Sequence, residues 1–246
     1  MLGRVLDVLF PNRCAGCGSG PWPFCAGCGG QLIALAPPWC ERCGVPWAGA
    51  RPRCPECPPP DIDLARAPFL FEGPARHAVH RLKFAGWRPV AAALGDAMMS
   101  VWPPAADTEV VTWVPLSRRR AAKRGFDQAR ALAEAVGAAS SLIAVQLLER
   151  TVDLPPQARR SGAQRRAAMA GAFRPVGPCP TRVVLVDDVL TTGATAGACA
   201  AALRTAGVRH VTVLTAARAV SAPFLARYTD RGLTPGSVVA RGTLSR

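Results

Sequence analysis

The chain has 246 residues, half of them hydrophobic, which is enough for one medium-sized core plus a small module. The longest apolar region, Ala131 to Leu148, is interrupted by Glu134 and falls short of the roughly 20 continuous apolar residues of a bilayer span, so no membrane insertion and a cytoplasmic location are expected. The net charge of +14 invites a nucleic-acid partner, yet Lys83 and Lys123 are the only lysines, and an arginine-favouring coding bias explains much of the excess.

Met1 to Phe10 carries Arg4 and Asp7 and lacks a cleavage-type ending, so it reads as a short amphipathic helix ahead of Pro11 rather than a signal peptide. Four C-x-x-C knuckles follow: Cys14/Cys17, Cys25/Cys28, Cys40/Cys43 and Cys54/Cys57. That spacing lets two thiolates reach one tetrahedral ion, and eight thiolates complete two four-sulfur zinc sites with none left over. Disulfides would need an oxidising compartment, and a redox pair would be single rather than tandem. With sulfur at every coordination position, both zincs are expected to be structural. Whether the pairs share ions sequentially or interleaved stays open. Trp22, Trp39 and Trp47 lie in this module, where they complete a small core or stack on bases; the former is favoured. Cys179 and Cys199, outside the array, read as a loop thiol and a buried small hydrophobe.

Pro58-Pro59-Pro60 is stiff and places the domain boundary near residue 60, giving 1–60 and 61–246. Ala67 to Phe71 is a strand candidate. A helix from Ala75 carries Val79, Leu82 and Phe84 inward and His80, Arg81 and Lys83 around it. A second helix spans Val90 to Val101, with Ala91, Leu94, Ala97 and Met98 at core spacing, and Pro103-Pro104 ends it. Val110 to Val114 is the next strand. The basic loop after it, with Arg118-Arg119-Arg120 and Lys123-Arg124-Gly125, is suited to hold a pyrophosphate or is simply a solvated turn. The helix Gln128 to Val136 is capped by Asp127.

Val183-Val184-Leu185-Val186 reads as a strand buried on both faces, as in a parallel sheet. Asp187 and Asp188 stand at its exit, followed by Val189-Leu190, the turn Thr191-Thr192-Gly193-Ala194-Thr195 and an Ala-rich helix from Ala196 to Ala206. Ligands of open α/β sheets bind beyond the carboxyl ends of strands, and a hydroxyl-rich turn at a helix N-terminus offers donors to one phosphate group.

The run from Val183 to Thr195 resembles the phosphoribosyl-pyrophosphate (PRPP) motif of type I phosphoribosyltransferases. The resemblance implies that Asp187 and Asp188 contact the ribose hydroxyls, and that Val189 and Leu190 lead into a 5′-phosphate loop, Thr191, Thr192, Gly193, Ala194 and Thr195. Over nearly its whole length the chain is similar to the ComF family (competence protein F, or ComFC, with GntX as a relative). The matching residues are Leu9-Phe10-Pro11, Phe71-Glu72-Gly73-Pro74, Leu82-Lys83-Phe84, Lys123-Arg124-Gly125-Phe126-Asp127-Gln128, Pro155-Pro156-Gln157, Arg165-Arg166 and Gly171-Ala172-Phe173. This similarity implies an α/β fold: a type I phosphoribosyltransferase-like parallel sheet flanked by helices, with a small N-terminal double zinc ribbon. It further implies PRPP with Mg2+ as ligand, Asp187, Asp188, Lys123 and Arg124 in catalysis, and Arg118, Lys123 and Arg124 on the pyrophosphate. DNA uptake for natural transformation is the implied setting, with competence-machinery proteins and single-stranded DNA as partners. Two alternatives are a non-catalytic PRPP-sensing adaptor and a single-stranded-DNA-binding protein. Family members usually carry Asn at the positions of Asp127 and Ala168, which bears on catalytic competence.

Overall fold

The protein, as a computed structural model, is described for residues 13–47, 49, 54–84, 87, 89–103, 108–117, 121–122, 125–151 and 171–229. The Met1–Phe10 helix, the tribasic Arg118–Arg120, Lys123, Arg124, Pro155–Gln157, Arg165, Arg166 and Ala168 fall outside the described residues.

The strands are β1 (Leu64–Arg66), β2 (Phe69–Leu70), β3 (Val110–Trp113), β4 (Leu148–Arg150), β5 (Phe173–Pro175), β6 (Arg182–Leu190) and β7 (His210–Arg218). The helices are α1 (Ala26–Gly29), α2 (Gly73–Phe84), α3 (Pro89–Met99), α4 (Gln128–Ser140), α5 (Ala194–Thr205) and α6 (Ala222–Thr229). The main sheet is parallel throughout, ordered β1-β7-β6-β3, with β2 continuing beside β7 and a further bridge from Val111 to Ala144 at the β3 edge. β4 and β5 form a separate antiparallel pair.

Central position explains the apolar run of β6: it has a strand on each side and a layer on each face. Val184 and Val186 join α2, α3 and α4 in one core, through Val79, Leu82, Leu94, Met98, Leu132 and Val136. Val183 and Leu185 face the other core, with Cys199, Ala200 and Leu203 of α5 and with Leu148 and Phe173 of the β4–β5 pair. Alternation along one strand thus seals both layers. Cys199 is fully buried as the sequence implies, and Cys179 is a half-buried loop thiol.

One expectation needs correction. Phe84 is 68% exposed rather than inward. The buried residues of α2 are Pro74, Ala75, Ala78, Val79 and Leu82, and a residue two beyond Leu82 lies on the opposite side of a 3.6-residue helix. Smaller differences are boundary shifts. The strand expected over 67–71 is divided into β1 and β2, and α5 begins at Ala194, two residues early, because the left-handed Gly193 starts the helix. Among the described residues, no helix is long and apolar enough to cross a membrane.

Candidate functional site

The cysteines form two sets, each with its sulfurs within 4.8 Å of one another: Cys14, Cys17, Cys25 and Cys28, then Cys40, Cys43, Cys54 and Cys57. Pairing is therefore sequential. Sγ separations of 3.8 Å (Cys17–Cys25), 3.6 Å (Cys40–Cys57) and 3.8 Å (Cys54–Cys57) lie near the edge of about 3.8 Å that tetrahedral Zn–S bonds near 2.3 Å require, while Cys43–Cys54 is closer at 3.2 Å. The local electrostatics also call for a cation. Backbone N–H groups of Ser19 and Gly20 pull the Cys17 thiol down to about 5. Burial and the neighbouring thiols push Cys28 up to about 12, and burial with the Cys43 charge pushes Cys57 up to about 11. Four clustered thiols cannot all ionise without a metal, so the donor set fits two structural Zn2+ ions.

The tryptophans complete local packing. Trp22 lies 6.2 Å from Trp87 by ring centroids, the Arg66 guanidinium stacks 5.2 Å over Trp39, and Trp47 packs against the second cysteine cluster. Val220 and Phe224 cover that cluster from the other module.

The second constellation lies where β6 ends. The chain leaves β3 for α4 on one face and leaves β6 for α5 on the other. The crevice between these two adjacent strands is a topological switch point. Asp188, 5% exposed, faces the α2–α4 side: Lys83 Nζ of α2 lies 2.8 Å from its Oδ1, and Gln128 Nε2 of α4 donates to its Oδ2 at 3.1 Å. Asp187 alternates toward α5, where burial first and the nearby Asp187 second raise the Cys199 thiol. Its Oδ1 accepts from the Asp188 N–H at 2.8 Å. Burial first, then the Asp188 charge, pushes its carboxyl from 3.8 up to about 8. The two carboxylates are thus distinct: one clamped by side chains, the other retaining its proton near neutrality.

The turn that follows enters α5 through Gly193 at φ +73, a left-handed conformation that disfavours side chains. Thr191 and Thr192 are exposed and Thr195 is half-buried; Thr192 Oγ1 accepts from the Ala194 N–H at 3.4 Å. Asp127 caps α4, accepting from the N–H groups of Ala129 (3.0 Å) and Arg130 (3.2 Å). Its other oxygen accepts from the Leu116 N–H at 3.4 Å, tying the exit of β3 to α4. Burial holds its carboxyl above the usual range despite these donors. The carboxylate that departs from the family pattern thus serves as a cap.

Lys83 and Gln128 were not among the expected site residues. Lys83 carried a signal, as one of two lysines in an arginine-rich chain and a member of the Leu82-Lys83-Phe84 match. Gln128 likewise belongs to the match Lys123-Arg124-Gly125-Phe126-Asp127-Gln128, but its place beside Asp188 follows from the approach of α4 to β6. Arg118, Lys123 and Arg124 lie outside the described residues, between β3 and α4 in the chain.

These two constellations define a double four-cysteine zinc ribbon joined to a parallel α/β domain with a pair of carboxylates at its switch point. Residues 5–58 match the family model of the double zinc ribbon domain. The chain is 30% identical over 206 residues to the DNA utilization protein YhgH of Salmonella typhimurium, covering 78% of this chain and 88% of that one. It is 29% identical over 208 residues to the protein of the same name from Escherichia coli K12, covering 79% and 89%. The chain therefore belongs to the YhgH family of ComF-like proteins. Among solved structures it is similar to an adenine phosphoribosyltransferase, with TM-score 0.34 and 13% identity over 62% of this chain and 78% of that one. The adenine phosphoribosyltransferase of Leishmania tarentolae aligns with TM-score 0.31 and 17% identity over 64% and 69%.

Proposed function

We propose that the protein binds PRPP with Mg2+ in the crevice beyond β6 and serves DNA utilization, in the setting of DNA uptake, as a phosphoribosyltransferase-type protein. The observation that carries this reading is the pairing of two carboxylates with a hydroxyl-bearing, left-handed turn into α5, all at the sheet's switch point. The 5′-phosphate would take the N–H and hydroxyl donors from Thr191 to Thr195. Asp187 and Asp188 would take the ribose hydroxyls, since carboxylates repel the phosphate but accept from O–H groups. Lys83 and Gln128 hold Asp188 in place through an ion pair and a hydrogen bond. Mg2+ would arrive with the pyrophosphate of PRPP, and Asp187, whose oxygens carry no side-chain donor among the described residues, would shed its proton to hold it or would face the ribose hydroxyls. Arg118, Lys123 and Arg124 would neutralise the departing pyrophosphate, so that rate enhancement comes from positioning and electrostatics.

The test is titration calorimetry of the zinc-loaded protein with PRPP and Mg2+, beside an Asp187→Ala/Asp188→Ala variant. Heat in the wild type that the variant loses is the expected result. No heat in the wild type overturns the proposal. Single-stranded DNA binding is the second reading, favoured by a cleft of about 790 Å3 between the first ribbon and α2 that is lined by Gln31, Arg76, His77, His80 and Arg81. Salt-dependent retention of an oligonucleotide, weakened by an Arg76→Ser/Arg81→Ser variant, is its signature.

A further inference from the structure

Arg218, the last residue of β7, is 1% exposed, among the most buried large side chains of the protein. A buried guanidinium is costly unless its charge is answered, and no carboxylate among the described residues makes an ion pair with it. Its two terminal nitrogens donate to backbone carbonyls on two modules, while Nε has no partner among the described residues. Nη1 donates to Leu190 O at 2.8 Å and to Thr191 O, at the start of the turn after β6. Nη2 donates to Glu56 O, inside the fourth C-x-x-C knuckle, at 2.5 Å.

The charge has an answer on the ribbon side. Burial lowers the Arg218 pKa, while the Cys43, Glu56, Cys54 and Cys57 charges raise it. Four thiolates on one Zn2+ make a doubly negative centre, and Arg218 is the buried cation beside it. A second connection runs in parallel. Arg42, inside the third knuckle, donates to Pro58 O at 3.0 Å, Pro59 O at 2.5 Å and Ile62 O at 2.8 Å. The segment so held lies directly against the turn: a Cβ on Gly193 would stand 2.8 Å from Pro59 Cδ and 2.9 Å from Pro58 Cβ, and one on Gly197 would stand 2.9 Å from Pro59 Cβ.

We propose that Arg218 is a positioning residue for the turn from Leu190 to Thr195, and that through it and the Pro58-Pro59 segment the second zinc ribbon sets the conformation of that turn. The zinc module is then a working part of the ligand site, and loss of its metal disables the turn without touching a ligand-contacting residue. The consequence for ligand affinity rests on the PRPP reading above; the mechanical link does not.

Two measurements separate the two ideas. The first is amide hydrogen exchange in ligand-free, zinc-loaded full-length protein, for wild type, Arg218→Lys and Arg218→Met. The expected result is at least tenfold faster exchange over 190–197 in Arg218→Met, an intermediate rate in Arg218→Lys, and unchanged exchange in α3 and α4. A lysine keeps the charge but lacks the fork that bridges two modules. The same region should loosen in wild type when a chelator withdraws zinc, which keeps the test decisive if Arg218→Met fails to fold. Unchanged exchange over 190–197, in the variants or after chelation, overturns the proposal. The second is PRPP titration of the same proteins. Tenfold or greater weakening in Arg218→Met, partly recovered in Arg218→Lys, is expected. Equal affinity in wild type and Arg218→Met overturns the positioning role. A wild type that binds no PRPP overturns the ligand reading alone, leaving the exchange result to decide the link.

Discussion

Replacing Lys83 by Met keeps the aliphatic stem and removes the ammonium, leaving Asp188 buried with Gln128 as its remaining side-chain donor among the described residues. The pair is well enclosed, with side-chain exposures of 21% for Lys83 and 7% for Asp188 at 2.8 Å. Removing one partner of a buried pair costs about 3–5 kcal/mol, because the other charge is stranded. Gln128 and the partial exposure of Lys83 place the expectation at the lower end, about 3 kcal/mol. For a protein of this size that corresponds to a fall in Tm of roughly 6–12 °C. The assay is thermal and urea unfolding with zinc in excess, run on Lys83→Met, Asp188→Asn and the double variant. Neutralising Asp188 removes the stranded charge, so the double variant should recover much of the loss, leaving a coupling energy of about 2 kcal/mol. A Lys83→Met protein as stable as wild type, or a double variant whose loss is the sum of the singles, would refute the reasoning.

The raised carboxyl of Asp187 makes a pH prediction. Its folded-state value lies at about 8 against an ordinary 3.8, so the folded protein holds a proton that the unfolded chain releases. The stabilisation from that proton is full below the ordinary value and is lost as pH rises through about 8. Asp187→Asn should therefore gain Tm over wild type progressively from about pH 5 to about pH 8.5, and a pH-independent difference would contradict it. Gly193→Ala meets both a left-handed φ of +73 and the Pro58-Pro59 contact, so a loss of about 2 kcal/mol in urea unfolding is expected. Cys43→Ser removes one ligand of the second four-cysteine set alone. Metal analysis of the purified variant should then find one zinc per chain, and two would contradict Cys43 as a required ligand of that site.

Much of this protein was legible from residue order. Covalent spacing alone decides that Cys14/Cys17 and its three fellows are metal knuckles, because two thiols three residues apart reach one ion whatever surrounds them. The apolar run before Asp187 declared a strand covered on both faces, and Asp127 declared its cap, since both depend on neighbours within a few residues. What the chain order could not decide were events between distant segments. Sequential rather than interleaved zinc sharing depends on how four knuckles fold back on one another. The clamp on Asp188 joins residues 83, 128 and 188 through the approach of α2 and α4 to one strand end, and the elevated carboxyl of Asp187 follows from its own burial and the Asp188 charge beside it. The inward placement expected of Phe84 failed because helix phase, set by Ala78, Val79 and Leu82, turned it outward. Arg218 gave no sign at all in the sequence: an arginine ending a strand reads as a surface residue. Only tertiary packing, by bringing a negatively charged cysteine cluster and the carbonyls of a distant turn to the same place, gives that buried guanidinium its partners.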